Sequence, residues 1–382
     1  MIVGKFNKEF HNWTSGNKEI DEFIQQTQLT ANKFSDIIEW VPFNKLTKIK
    51  YLAKGGFGTV FKAIWTDGYI YGYDSTNINK WIRNSQTNVC LKSLHNSKDI
   101  NKDFLEEVEN QHYHGGDSAI AIYGITKNPQ DSDYMIVMQY AEQGSLRKLL
   151  DSKYYDLTWI SKIDNLYYIA NGLYTIHEAG LVHKDFHSGN IVNESFCSSF
   201  ITDFGLCKPV SQDSNSIELF GVLPYVAPEI LKMLDASGKN EIKYTQPSDI
   251  YSFGIIMTEI FNGYPPYYDI PHDNDLALKI CMGQRPETKH EIPQLLLDLM
   301  NNCLDDRPEN RPSAKELVEK LKQYRNDVSN EKTELYRQVK AIENLSNSNE
   351  KFSSRLIYKI HEKANYTSSC LSKSLNLQKG KQ

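Results

Sequence analysis

His183-Lys184-Asp185-Phe186-His187-Ser188-Gly189-Asn190 is followed thirteen residues later by Asp203-Phe204-Gly205. The two stretches supply two acids and an amide at spacings suited to holding Mg²⁺ and aiming a hydroxyl at a phosphate. Moving a phosphoryl group needs metal ions to spread the charge of the transferring group, and a carboxylate that orients the attacking oxygen and takes its proton. Alone, either stretch occurs by chance in loops. In this order, behind a Gly-rich loop and a lysine ending an apolar strand, they form a strong signal.

Working outward, Leu52-Ala53-Lys54-Gly55-Gly56-Phe57-Gly58-Thr59-Val60 lies between two strand candidates. Glycines let a backbone approach phosphate oxygens and present amide N–H groups to them. A Gly-rich hairpin by itself is more often only a turn. Lys92 ends the next strand, Val89-Cys90-Leu91-Lys92, and Glu107 on the following helix is a candidate partner for it. Such a pair can hold phosphates.

The chain has 382 residues, 40% hydrophobic and 24% charged, an ordinary globular composition. A net charge of −5 gives no argument for nucleic acid or an anionic membrane surface. The six cysteines are dispersed with no CxxC pair, which predicts reduced thiols rather than disulfides or a zinc site. No apolar signal core opens the sequence, and the run Phe253 to Phe261 is interrupted by Glu259 and too short to span a bilayer. The expectation is a cytoplasmic chain without membrane insertion.

Tyr51-Leu52, Val60 to Trp65, Val89 to Lys92 and Met135 to Met138 read as strands. Thr66 to Asn88 is long for a loop and predicts an insertion or an extended hairpin. Phe104 to His112 reads as a helix with Ser97 or Asn101 as N-cap. In Trp159 to His177, Ile160, Ile163, Leu166, Ala170, Leu173 and His177 recur at helical spacing, and 248–261 and 312–323 behave alike. Residues 1–45 read as a flanking, docking segment with a helical stripe of Ile20, Phe23 and Ile24. Residues 326–382 read as a tail with one further helix through Leu335, Val339 and Ile342, mostly disordered from 346.

With these residues in view, the chain resembles a eukaryotic protein kinase over roughly residues 46–325. The ordered signatures are the Gly-rich loop, Lys92, Glu107, His183 to Asn190, Asp203-Phe204-Gly205 and Ala227-Pro228-Glu229. Asp249 and Arg311 are similar to supporting positions of the family, where outside this frame surface capping or solvation is the simpler reading. The resemblance implies an α+β, bilobal fold. A small lobe (46–138) would carry an antiparallel β-sheet and the helix αC, and a large, mainly α-helical lobe (139–325) would follow, with ATP in the cleft between them. It implies that Asp185 orients the substrate hydroxyl and accepts its proton, that Asn190 and Asp203 hold Mg²⁺, and that Lys92, fixed by Glu107, positions the phosphates. Glu107 is chosen over Glu106 and Glu109 because it stands seventeen residues before Gly124. Residues 52–60 would cover the nucleotide, Val60 and Cys90 roof the adenine, Val192 floor it, Met138 act as gatekeeper, and Gln139 and Ala141 belong to the hinge.

Ala53 replaces the first glycine of the loop, and Lys184, His187 and Val222 replace residues usual in serine/threonine kinases. Lysine cannot bind a phosphate bidentately as arginine does, which predicts weak dependence on activation-segment phosphorylation. The combination of His183 to Asn190 with Gly221 to Glu229 is similar to the tyrosine-kinase-like group, in particular to the expanded kinase set of arbuscular mycorrhizal fungi. It implies transfer to serine or threonine, with tyrosine left open. Ser211, Ser214 and Ser216 are either regulatory phosphosites or solvated loop serines. The alternatives are a pseudokinase scaffold, against which Lys92, Asp185, Asn190 and Asp203 all stand, and a small-molecule kinase, against which Ala227-Pro228-Glu229, Asp249 and Arg311 argue. Protein substrates are the implied partners, and the oligomeric state is left open.

Overall fold

A computed structural model describes residues 10, 13–56, 58–74, 80–94, 102–114, 118–209, 218–234, 242–346 and 356–375. The chain divides into two compact units, one of residues up to 113 with 120–140, the other of 114–119 with 141 onward.

The first unit is built on a six-stranded sheet in the order Glu39–Trp40, Ile122–Lys127, Tyr134–Gln139, Thr87–Leu94, Gly58–Trp65, Leu46–Lys54. Alternation along Thr87–Leu94 sends Val89 and Leu91 into a core with Ala63, Trp65, Met135 and Val137, and turns Cys90 and Lys92 to the opposite face. All pairings are antiparallel except that of Glu39–Trp40, which joins Ile122–Lys127 in parallel. The segment before residue 46 thus supplies a strand. Asn17 caps the helix Lys18–Thr30 by accepting from the Glu19 and Ile20 amides, and that helix buries Ile20 and Ile24. The Gln28 amide donates to the Ile38 carbonyl at 2.8 Å. Gly124 is what admits the added strand, because a Cβ there would lie 2.2 Å from the Glu39 carbonyl oxygen.

The long connection between Thr66 and Asn88 is a β-hairpin, Tyr69–Asp74 against Lys80–Asn84. Arg83 ties it down, pairing with Glu39 and donating to the Gly68 carbonyl at 2.7 Å. The helix after the lysine strand runs Lys102–His114. The proposed caps Ser97 and Asn101 lie outside the described residues.

The second unit is mainly helical around Gln246–Asn262, in which every residue from Ser248 to Asn262 is buried. Trp159–Glu178 buries Ile163, Leu166, Ile169, Ala170, Leu173 and Ile176 in the same core, while Ile160, read as part of the same stripe, is exposed. The helix expected at 312–323 starts after Pro312, at Ala314–Asp327, with a reciprocal Ser313–Glu316 cap. Glu334–Ser346 buries Leu335 and Val339.

The tail departs from expectation. Residues 356–375, read as disordered, are packed, with Leu356, Leu371 and Leu375 buried in the core of the second unit. These anchors are widely spaced among Ser, Asn and Lys, so no period announces them.

Lys162 carries a pH-dependent stability. It is buried in the second unit, its ammonium 4.2 Å from the centre of the Tyr154 ring and 4.9 Å from that of Trp159, and burial pushes its pKa down to about 7. The unfolded chain holds this proton to a pH near its ordinary value of 10.5, whereas the folded one releases it near 7. Between those limits the unfolded state binds more protons, so stability rises with pH, and below the lower limit the full cost of a buried charge is felt. Lys162→Met is expected to raise the melting temperature at pH 6 and to flatten the rise between pH 7 and 10. The gain is on the order of a few kcal/mol, trimmed by the lost cation–π attraction. Melting curves that keep the wild-type pH slope would refute this.

Candidate active site

In the first unit, Lys92 and Glu107 meet, Nζ to Oε1 at 2.5 Å, with both side chains almost wholly buried. Of the three glutamates weighed, Glu106 is half-buried, Glu109 exposed, and Glu107 is buried and reaches the lysine. Lys92 lies opposite Val60 on one neighbouring strand and Ile136 on the other. Cys90 lies opposite Met138, and burial pushes its thiol up to about 12, so it is a neutral apolar group. Met138 is buried, with Gln111 Nε2 3.8 Å from its sulfur, and the Gln139 amide donates to the Ala121 carbonyl.

The glycine turn closes with the Gly55 amide donating to the Gly58 carbonyl at 2.8 Å. Around it, Leu52, Ala53, Lys54, Gly55 and Gly56 are exposed, and Ala53 and Lys54 pair with Val60 and Thr59. Gly58 has no room for a side chain, since a Cβ would lie 2.2 Å from the Ser93 carbonyl oxygen. Phe57 lies outside the described residues.

A buried ion pair is costly to break singly, because the surviving charge is left without compensation. Lys92→Met is expected to lower the melting temperature and to abolish phosphate transfer. Adding Glu107→Leu should restore most of the stability, a few kcal/mol, and none of the transfer. Recovery of transfer in the double variant would dismiss a direct role for Lys92.

In the second unit, the catalytic loop candidate is held from behind by Asp249, near the start of the central helix. Its carboxylate accepts from the His183 amide at 2.8 Å and the Lys184 amide at 3.1 Å, and sits 3.0 Å from His177 Nε2. Lys184 adopts φ 70°, a left-handed conformation that a non-glycine residue keeps only when its surroundings enforce it. Its ammonium lies 5.4 Å from the centre of the Tyr244 ring. The buried His183 ring contacts Phe186 and Phe204, joining the two motifs through one apolar cluster. Burial outweighs the nearby carboxylates and lowers its pKa, so the ring is neutral.

Asp185 is 3% exposed. The Asn190 side chain donates to its backbone carbonyl at 2.9 Å and to Oδ2 at 3.1 Å. His187 Nε2 stands 3.5 Å from the same oxygen, while its Nδ1 accepts from the Gly189 amide. The Nε2 side of the ring thus faces the carboxylate without completing a hydrogen bond to it. Burial raises the Asp185 pKa, but the facing His187, with His183 and Ser368 nearby, outweighs it and holds the carboxyl below its ordinary range. Conversely, Asp185 overcomes the burial penalty on His187 and raises its pKa. Asp185 Oδ1 has no hydrogen-bond partner, which leaves one buried carboxylate oxygen open.

Asp203, at φ 66°, lies within electrostatic reach of His183 and His187. The Thr202 amide, one residue before it, donates to the Asn190 carbonyl at 3.0 Å, tying the two candidate metal ligands together. Since Asn190 commits its nitrogen to Asp185, its amide oxygen is the atom left for a cation. Among the described residues no group of three or more His, Cys, Asp or Glu side chains is arranged to hold a metal. One carboxylate and one amide oxygen are hard ligands that fit Mg²⁺ when phosphate oxygens complete its shell. Val192 pairs with Phe200 and Ser145, and Ala141 is buried at the start of this unit.

A buried chain of polar groups escaped sequence reading. Ser188 meets Tyr225 at 3.1 Å, the Tyr225 hydroxyl donates to Glu259 at 2.7 Å, and Glu259 accepts from Arg147 at 2.8 Å. Its available signal was Glu259 itself, a lone acid in an apolar helical run that must be paired if buried. Arg311 clasps Glu229 with two 2.7 Å bonds and reaches the Pro247 and Asp305 carbonyls. Ser211, Ser214 and Ser216 lie outside the described residues. No helix among the described residues is long and apolar enough to cross a membrane.

Comparison with known proteins agrees with this geometry. The probable serine/threonine-protein kinase kinX of Dictyostelium discoideum is 29% identical over 74% of this chain and 24% of its own length. A probable LIM domain-containing serine/threonine-protein kinase of the same organism is 28% identical over 80% of this chain and 46% of its own. Receptor-interacting serine/threonine-protein kinase 2 of Bos taurus is 28% identical over 75% and 52%. The chain therefore spans from about a quarter to about half of these relatives. The family model for protein tyrosine and serine/threonine kinases matches residues 46–321, most of the chain, and the chain belongs to that family.

Proposed function

We propose that the chain transfers the γ-phosphate of ATP, with Mg²⁺, to serine or threonine hydroxyls of protein substrates in intracellular signalling. The observation that carries this reading is Asp185, a carboxylate kept ionised in a buried site with one oxygen open to an incoming hydroxyl. In this reading Asp185 orients that hydroxyl and receives its proton. Asn190 steadies Asp185 through its nitrogen and offers its oxygen to the metal, and Asp203 supplies the second ligand. Lys92, aimed by Glu107, grips the phosphates, residues 52–60 cover them, and Val60, Cys90, Met138, Gln139, Ala141 and Val192 hold the adenine. Mg²⁺, when bound, neutralises the charge of the transferring group.

The kinase domain is assigned to residues 46–325, with flanks at 1–45 and 326–382 and a cytoplasmic location. Within the kinases we place the chain in the tyrosine-kinase-like group, near the arbuscular mycorrhizal fungal set, on the pattern His183 to Asn190 with Gly221 to Glu229. The test is label transfer from γ-labelled ATP with Mg²⁺ to a generic basic protein, beside an Asp185→Ala control. Label on serine or threonine only with Asp185 intact supports the proposal. Nucleotide binding without transfer would make the chain a scaffold.

A further inference from the structure

The packed tail does more than cover the core. Ser369–Cys370 forms an antiparallel pair with Phe220–Gly221, Ser369 opposite Gly221 and Cys370 opposite Phe220. The Leu371 amide donates to the Leu219 carbonyl at 2.7 Å, the Leu219 amide donates to Ser372 Oγ at 3.3 Å, and Lys373 pairs with Glu218 at 2.8 Å. On the other side of Ser368, Tyr366 donates to the Pro266 carbonyl at 2.8 Å and packs edge-on against His272. Ser368 is thereby stretched between two anchors.

That strand position lies against the catalytic loop. A Cβ built on Gly221 would be 3.9 Å from Asp185 Oδ1, so the residue paired with Ser369 directly borders the open carboxylate oxygen. Ser368 is 7% exposed, and neither its hydroxyl nor Asp185 Oδ1 has a hydrogen-bond partner. The Ser368 hydroxyl lies beside the Asp185 carboxylate, short of a well-formed hydrogen bond. A buried hydroxyl without a partner is expensive in a purely structural role. Beside a general base it is an acceptor in waiting.

We infer that residues 366–371 occupy the acceptor-peptide position in cis and that Ser368 is a site of intramolecular self-phosphorylation. This rests on the proposed kinase activity, which supplies ATP as co-reactant. The Ser368 oxygen forms the new bond to the γ-phosphorus, its proton passes to the Asp185 carboxylate, and the bond from that phosphorus to the bridging oxygen breaks with its electron pair leaving on ADP. The product places a phosphate of charge about −2 beside Asp185, in a site that also feels Asp203, so repulsion expels the strand and frees the position for other substrates.

The first test is purified full chain incubated with Mg²⁺ and ATP over a range of protein concentrations, with phosphate located by mass spectrometry and a generic basic protein as parallel acceptor. Phosphate on Ser368 at a rate per molecule independent of concentration is expected. Transfer to the basic protein with none at Ser368, with phosphate at Thr367 or Ser369 instead, or with a rate per molecule rising with concentration, overturns the inference alone. No transfer to either acceptor overturns the kinase reading and this inference with it. A second readout needs no nucleotide. Hydrogen exchange at the Leu371 amide is expected to be slow in wild type and Ser368→Ala, and faster by roughly tenfold or more in Ser368→Glu, whose carboxylate meets Asp185. Equal protection in all three overturns the release step.

Discussion

Asp185→Asn is expected to lower phosphate transfer by about 10²–10⁴-fold, the span of a positioned general base, while leaving the melting temperature within a few degrees. The small stability effect follows from the contacts. An amide oxygen in the place of Oδ2 still accepts from Asn190 and still faces His187 Nε2, and the backbone bond from Asn190 to the residue 185 carbonyl is untouched. The amide nitrogen then takes the place of Oδ1, which accepts no hydrogen bond within normal geometry, and lies beside the Ser368 hydroxyl. No buried group loses a bond, and no cavity opens. What disappears is the negative charge and the capacity to take a proton, and both belong to the chemistry rather than to the fold. Nucleotide binding should persist, because the groups assigned to phosphates and metal are elsewhere. Turnover within a few fold of wild type, at unchanged nucleotide affinity, would remove Asp185 from the role of base. A collapse in melting temperature would show instead that its charge holds the loop together.

The parts of this site that sequence made visible are those in which one residue type does one job at a fixed spacing. Lys92 on an alternating strand and Glu107 on the helix after it are of that kind, and the two meet. Asp249 and Arg311 were legible only through the family resemblance, since surface capping or solvation was the simpler reading of either alone, and both are buried against the backbone amides and the carboxylate they bind. Three features lay beyond such reading. The strands Glu39–Trp40 and Ser369–Cys370 are two residues long, too short for a period of two to register, and their partners are remote in sequence. The line from Ser188 through Tyr225 and Glu259 to Arg147 joins four separate elements, and only the fold brings them together. The tail resembles a disordered segment in composition because its anchors, Leu356, Tyr358, Tyr366, Leu371 and Leu375, are diluted by polar residues. Each enters a different place along the second unit, Tyr358 donating to Asp151 at 2.5 Å and Tyr366 to the Pro266 carbonyl.

Asp249→Ala is the other change expected to have a large effect, and it acts from behind the catalytic loop. The substitution takes the acceptor from the buried amide of His183 and the half-buried amide of Lys184, and a partner from His177. Each orphaned donor costs about 1–3 kcal/mol, so the loss is roughly 2–6 kcal/mol, a large share of a typical domain's stability. Strain adds to it. Lys184 holds φ 70°, and releasing its amide removes one of the bonds that keep the backbone left-handed. The chain can relax by turning the 183–185 peptides, which swings Asp185 away from Asn190, so activity is expected to fall further than stability. Asp249→Asn separates the two effects, since its single carbonyl oxygen can serve one amide but not both. It should lie between wild type and alanine in melting temperature and near alanine in turnover. If Asp249→Ala melts like wild type, the buried carboxylate is not what holds the loop. If it melts low but turns over normally, the backbone at Lys184 does not need enforcing for Asp185 to be aimed.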